Sequence, residues 1–149
     1  KKDLKSLLES KEKFEFIVSE FPDTDYATDS RFKLDLIEDQ LAAKEMSIAR
    51  YYMKTEKWIP ALNRLKLVVD KYDRTVFIEE ALHRLVEVYY KIGLVEEAKK
   101  AASILGYNYA SSAWYEQSYR VFNKKYRPIK IRDEKKELGL VRRTIKKLF

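Results

Sequence analysis

Cysteine is absent from this 149-residue chain, which excludes disulfides, thiolate nucleophiles and cysteine-ligated metals within it. Glycine and proline number three each, against average usage of roughly 7% and 5%. A β-rich domain needs more turn residues than that, so long helices with short connections fit best. His83 is the only histidine, and imidazole clusters for a metal cannot form around one ring. No run of about 18 apolar residues occurs, so no stretch reads as a membrane-spanning helix. No secretory leader is expected within this stretch, because Lys1-Lys2-Asp3 leads directly into a charged helical pattern.

What is present is the composition of a globular domain. Hydrophobic residues make up 46% and charged residues 37%, enough apolar side chain for one domain with a sizeable core. The formal charge of +7 is unevenly spread. Residues 123–149 hold eleven Lys and Arg against three acids, whereas residues 1–122 hold 20 bases and 21 acids. The body is therefore neutral, and any attraction to anionic partners belongs to the tail.

Helical spacing runs through the body. Leu4, Leu7, Leu8, Phe14, Ile17, Val18 and Phe21 follow it until Pro22 stops the segment. Pro22-Asp23-Thr24-Asp25 is a turn, with Asp25 the expected N-cap of a helix over 26–54. That helix carries Leu34, Ile37, Leu41, Ile48 and Tyr52 near one face. A helix over 60–71 is expected to bury Ala61, Leu65, Val68 and Tyr72, with Pro60 in its first turn. Another over 77–92 ends at Gly93, a good C′ residue, and helices over 95–106 and 112–122 follow.

The helices repeat. Lys57-Trp58-Ile59-Pro60-Ala61 is answered by Gly93-Leu94-Val95-Glu96-Glu97-Ala98 when each is aligned on its small residue, which sets Ala61 and Ala98 37 residues apart. Tyr51-Tyr52 and Tyr89-Tyr90 end the preceding helices at a spacing of 38. Phe14, Ile17 and Phe21 match Leu65, Val68 and Tyr72, so the first helix reads as the second half of a repeat whose first half lies upstream. This pattern resembles the tetratricopeptide repeat. Ala61 and Ala98 sit where two helices approach most closely, and a longer side chain would force them apart. The small residue usual at the tight turn is lost at Glu56-Lys57 and kept as Gly93. The expected architecture is all-α: a tetratricopeptide-like solenoid of helical hairpins over 1–122, then a basic linker and helical extension over 123–149.

A narrower resemblance covers roughly residues 10–122. Phe21-Pro22-Asp23-Thr24-Asp25-Tyr26-Ala27-Thr28-Asp29, Leu41-Ala42-Ala43-Lys44-Glu45, Ala49-Arg50-Tyr51-Tyr52 and Trp58-Ile59-Pro60-Ala61-Leu62-Asn63-Arg64 are similar, in order and spacing, to the C-terminal half of the BamD family. These are the tetratricopeptide lipoproteins of the bacterial outer-membrane β-barrel assembly machine. The resemblance implies the periplasmic face of the outer membrane, lipid anchoring through a cysteine upstream of this stretch, and docking to the POTRA domain of BamA nearest its barrel. It also implies contacts with other assembly subunits. The sequence departs from the family at Tyr72-Asp73, where Tyr-Pro is usual, and in residues 123–149.

Arg64 is the first candidate for a partner contact. On a helical wheel it lies at the shoulder of the Ala61–Val68 stripe, where a guanidinium can offer a fork to a carboxylate. The resemblance implies the same role for the arginine of the Asn63-Arg64 pair. The plainer alternative is a solvated arginine whose stem covers its own core. Tyr51 lies one position off the packing stripe and is the expected exposed aromatic, with Tyr52 and Trp58 structural. Tyr107, Tyr109, Trp114, Tyr115 and Tyr119 are expected as core and cap of the last hairpin.

Chemistry leaves few traces. His83 follows Glu79 at ordinary helix-surface spacing, and no Gly-x-Ser-x-Gly elbow supplies a nucleophile for it. No two glycines lie close enough to cradle a phosphate. Glu87 with Lys91 and Glu96 with Lys100 read as solvated helix pairs. Catalytic residues, metal and cofactor are all expected to be absent.

In the tail, Leu138, Val141, Ile145, Leu148 and Phe149 form an apolar stripe on a helix expected from Asp133. Lys136, Arg142, Arg143, Lys146 and Lys147 make its basic surface. It reads as a capping helix, an interfacial helix on anionic lipid or a partner-docking helix. Nucleic acid is disfavoured because Tyr126 is the only aromatic among the bases. Two functions remain open: a non-catalytic assembly scaffold, or an unrelated tetratricopeptide adaptor for a peptide or acidic protein.

Overall fold

A computed structural model describes residues 2–124, and these form six helices and no strand. They are α1 (Lys2–Glu20), α2 (Asp25–Lys54), α3 (Trp58–Lys71), α4 (Ile78–Lys91), α5 (Val95–Asn108) and α6 (Ala113–Phe122). Each helix packs on the next, and α6 rests on both α4 and α5. The helical extension expected over 133–149, with Lys136, Arg142, Arg143, Lys146 and Lys147, lies outside the described residues.

The cap of α2 falls one residue before the expected one. Thr24, not Asp25, is the N-cap: its backbone is extended and its Oγ1 accepts the Ala27 N–H at 3.2 Å. Asp25 becomes the first helical residue, where its charge meets the positive end of the helix dipole.

Two turns set the repeat length. After α2, Glu56 N–H bonds Met53 O at 3.1 Å and Lys57 N–H bonds Tyr52 O at 2.8 Å. After α4, Gly93 N–H bonds Tyr90 O at 3.2 Å and Leu94 N–H bonds Tyr89 O at 2.9 Å. Both are the same paired closure, which needs a left-handed residue at C′. Gly93 takes it at φ 84°, and Glu56 takes it at φ 56° despite its Cβ. The loss of a small residue at Glu56 has therefore left the turn intact, at a cost in strain. The closures equate Tyr52 with Tyr89, so the register is 37 throughout. The spacing of 38 for the tyrosine pairs is corrected, and Tyr51 corresponds to Val88.

Ala61 and Ala98 are both fully buried, as the close approach of helices requires. The main core joins Ala42, Met46 and Ala49 of α2 to Leu65 and Val68 of α3 and Leu85 and Val86 of α4. Tyr52 and Trp58 pack against it. A smaller cluster of Ile78, Leu82 and Leu105 is closed by Tyr109, Trp114 and Tyr115. Gly106 lies inside α5 because a Cβ there would meet the Tyr115 ring at 2.5 Å.

The terminal aromatics divide, contrary to expectation. Tyr107 is 91% exposed, because it lies two residues beyond buried Leu105 and so on the opposite side of α5. Tyr119 is also exposed. The expected helix-surface pairs shift as well. Glu87 pairs with Arg84, Glu96 with Lys99 and Lys100 with Glu97, all at i,i+3. Adjacent helical turns bring i,i+3 partners as close as i,i+4 ones.

Candidate partner-binding site

Along α3, Ile59, Asn63 and Leu67 recur every fourth residue and so share one face. With Tyr52, Pro60 and Arg64 they line a groove of about 330 Å³. Ile59 and Asn63 are exposed, so the groove offers apolar surface beside an amide. Arg64 sits on its rim. Its Nη1 donates to Glu45 Oε2 on α2 at 2.9 Å, and the arginine side chain is 42% exposed against 15% for the glutamate. The structure therefore joins Asn63 and Arg64 in one site. Tyr51 does not line the groove: it is 61% exposed, with its ring 5.9 Å from that of Tyr52.

One repeat further on lies a second groove of about 320 Å³. Tyr89, Glu97, Lys100, Ala101 and Ile104 line it, and 37 residues earlier these are Tyr52, Pro60, Asn63, Arg64 and Leu67. The two grooves are thus the same feature of successive hairpins. At the Arg64 position the second copy has Ala101, and at the Glu45 position it has Leu82, both buried. The two charged positions of the first groove are thus both apolar in the second, Ala101 in the main core and Leu82 in the smaller cluster.

Glu45, Ile59 and Leu67 escaped the sequence reading. The four-residue spacing of Ile59, Asn63 and Leu67 could have shown their common face. Glu45 stands 19 positions from Arg64, and no local rule pairs residues so far apart.

Two further polar contacts tie the repeats together. Arg50 on α2 forks onto Glu80 on α4, with Nε donating to Oε1 at 2.9 Å and Nη2 to Oε2. That hydrogen bond holds the Glu80 carboxyl below its ordinary value. His83 is not on the surface as its spacing suggested. It is buried, its Nδ1 lies 2.9 Å from Ser118 Oγ of α6, and Ser118 Oγ in turn donates to Trp114 O at 2.9 Å. A histidine–serine pair does therefore exist, but Ser118 is fully buried and the pair is sealed from any substrate. Its work is to dock α6 on α4. Burial, the largest influence, pushes the His83 pKa below its ordinary 6.5, outweighing the nearby Glu87.

Hairpins stacked at a 37-residue repeat around small-residue contacts, with exposed grooves between their helices, define a tetratricopeptide-like scaffold. Among the described residues no helix is long and apolar enough to cross a membrane. The chain belongs to the YfiO outer membrane lipoprotein family, whose model matches residues 1–105. It is 50% identical over 112 residues to outer membrane protein assembly factor BamD of Rickettsia prowazekii (strain Madrid E), covering 75% of this chain and 45% of that protein. Against the same factor of Caulobacter vibrioides it is 47% identical over 107 residues, covering 72% of this chain and 35% of the relative. Against that of Neisseria meningitidis serogroup A the identity is 32% over 119 residues, covering 80% and 45%. The chain thus spans less than half the length of these relatives. Membership removes the ground for an unrelated adaptor.

Proposed function

We propose that this chain is part of a non-catalytic scaffold of outer-membrane protein assembly, docking the POTRA domain of BamA nearest its barrel. The scaffold would stand at the periplasmic face of the outer membrane, held by a lipid on a cysteine upstream of this stretch. The relatives named as assembly factors support the process. The observation that carries the docking site is Arg64, a half-exposed guanidinium held on the rim of an apolar groove. Only one of its N–H groups is taken by Glu45, and the others are available to a carboxylate on a partner. Asn63 and Ile59 supply polar and apolar surface beside it, and exposed Tyr51 extends the surface past Tyr52.

A pull-down with soluble BamA POTRA fragments tests this. Arg64→Ala should weaken binding about tenfold or more, as expected for an arginine at the centre of an interface, with the helical circular dichroism retained. Binding unchanged from wild type would remove the groove from the interface.

A further inference from the structure

The repeat carries its own control experiment. Tyr52 and Tyr89 equate the two grooves, and at that register the Glu45–Arg64 ion pair becomes Leu82–Ala101. Both members change together, and both replacements are buried in the second copy. The hairpin therefore packs without the ion pair. An ion pair whose arginine is half-exposed adds little to stability, so stability gives little reason to keep charges here. A lone Arg64 on the rim would also be costly to use. Its side chain has several rotatable bonds, and ordering such a chain on binding weakens association. Glu45 removes that cost in advance. It rises from α2, is mostly buried, and accepts from Arg64 Nη1 at 2.9 Å, while the arginine side chain stays 42% exposed with further N–H groups to offer.

We infer that Glu45 is a positioning residue of the docking groove, holding Arg64 so that its remaining N–H fork meets a partner carboxylate. This rests on the docking reading above. Arg64 makes the contact, and Glu45 acts through Arg64.

The test measures the affinity of BamA POTRA fragments for the full chain and four variants, with circular dichroism as the check on folding. Arg64→Ala should weaken binding at least tenfold. Glu45→Ala should weaken it about three- to tenfold, the effect of freeing one long side chain. Glu45→Gln should keep most of the affinity, because its side-chain carbonyl still accepts the Arg64 N–H. Glu45→Ala combined with Arg64→Ala should bind no more weakly than Arg64→Ala alone. Should Glu45→Ala perturb folding, Glu45→Leu, which places there the residue of the second copy, replaces it in both backgrounds. Wild-type or tighter binding by Glu45→Ala overturns the inference, as does a loss of equal size in the Arg64→Ala background. An Arg64→Ala variant that binds like wild type instead overturns the docking reading itself, and the role of Glu45 with it.

Discussion

The first and second hairpins are built alike, and they differ in what their equivalent positions face. Ala61 and Ala98 bring the paired helices together, and Tyr52 and Tyr89 close the same turn hydrogen bonds. Yet Glu45 and Arg64 become Leu82 and Ala101, Met46 becomes His83, Tyr51 becomes Val88, and Glu56 becomes Gly93. Each hairpin is followed by a helix that packs on it, α4 on the first and α6 on the second, but the second copy buries Leu82 and Ala101 and pairs His83 with Ser118 of α6. The first keeps Tyr51 and Arg64 at the surface. A shared scaffold thus separates the positions that fold both repeats from the positions at which the two copies differ.

Transplants between copies break or sharpen this contrast. The largest effect belongs to the positions the copies share. Ala61→Leu and Ala98→Leu should each lower stability by about 2–3 kcal/mol in urea unfolding, since neither close approach has room for more atoms. If one alone were tolerated, the two hairpins would not be equivalent. Moving the second copy's apolar pair into the first, as Glu45→Leu with Arg64→Ala, should cut POTRA binding about tenfold while unfolding free energy stays within about 1 kcal/mol. A large loss of stability would make the ion pair structural.

The turns should respond in opposite directions. Gly93→Ala puts a Cβ on a left-handed residue and should cost about 1 kcal/mol, whereas Glu56→Gly removes that strain and should stabilise by about 0.5 kcal/mol. Equal signs for the two would show that the closures differ. The gentlest test concerns His83, whose place in the first copy is taken by fully buried Met46. The unfolded chain takes up a proton on His83 near pH 6.5, and burial holds the folded value lower. Below that pH the unfolded state binds more protons, so stability should fall as pH drops from 6.5 through the folded pKa. His83→Met should flatten the melting temperature over that interval while Ser118 keeps its bond to Trp114 O. A dependence that survives the substitution would assign it to carboxylates instead.

Much of the body was legible in the chain itself. Helix period, the stop at Pro22, Gly93 at a C′ position and the small residues Ala61 and Ala98 are local signals, each governed by neighbours within about one turn. Arg64 was a candidate on the same ground, since the wheel places it on a shoulder, whereas Asn63 entered only as its neighbour in the pair the resemblance singled out. The finer boundaries shifted where two local candidates competed, as with Thr24 and Asp25 for one cap. Tyr107 went astray because aromatic content suggested burial while its place opposite Leu105 decided otherwise.

Tertiary structure alone decided which distant groups meet. Glu45 reaches Arg64, Arg50 reaches Glu80 and His83 reaches Ser118 across separations of 19, 30 and 35 residues. Such pairs carry no local signature, because their geometry exists only after hydrophobic faces have packed and brought the helices within reach. The repeat and its turns follow from covalent geometry and side-chain period. The meeting of Glu45 with Arg64 follows from how α2 packs on α3.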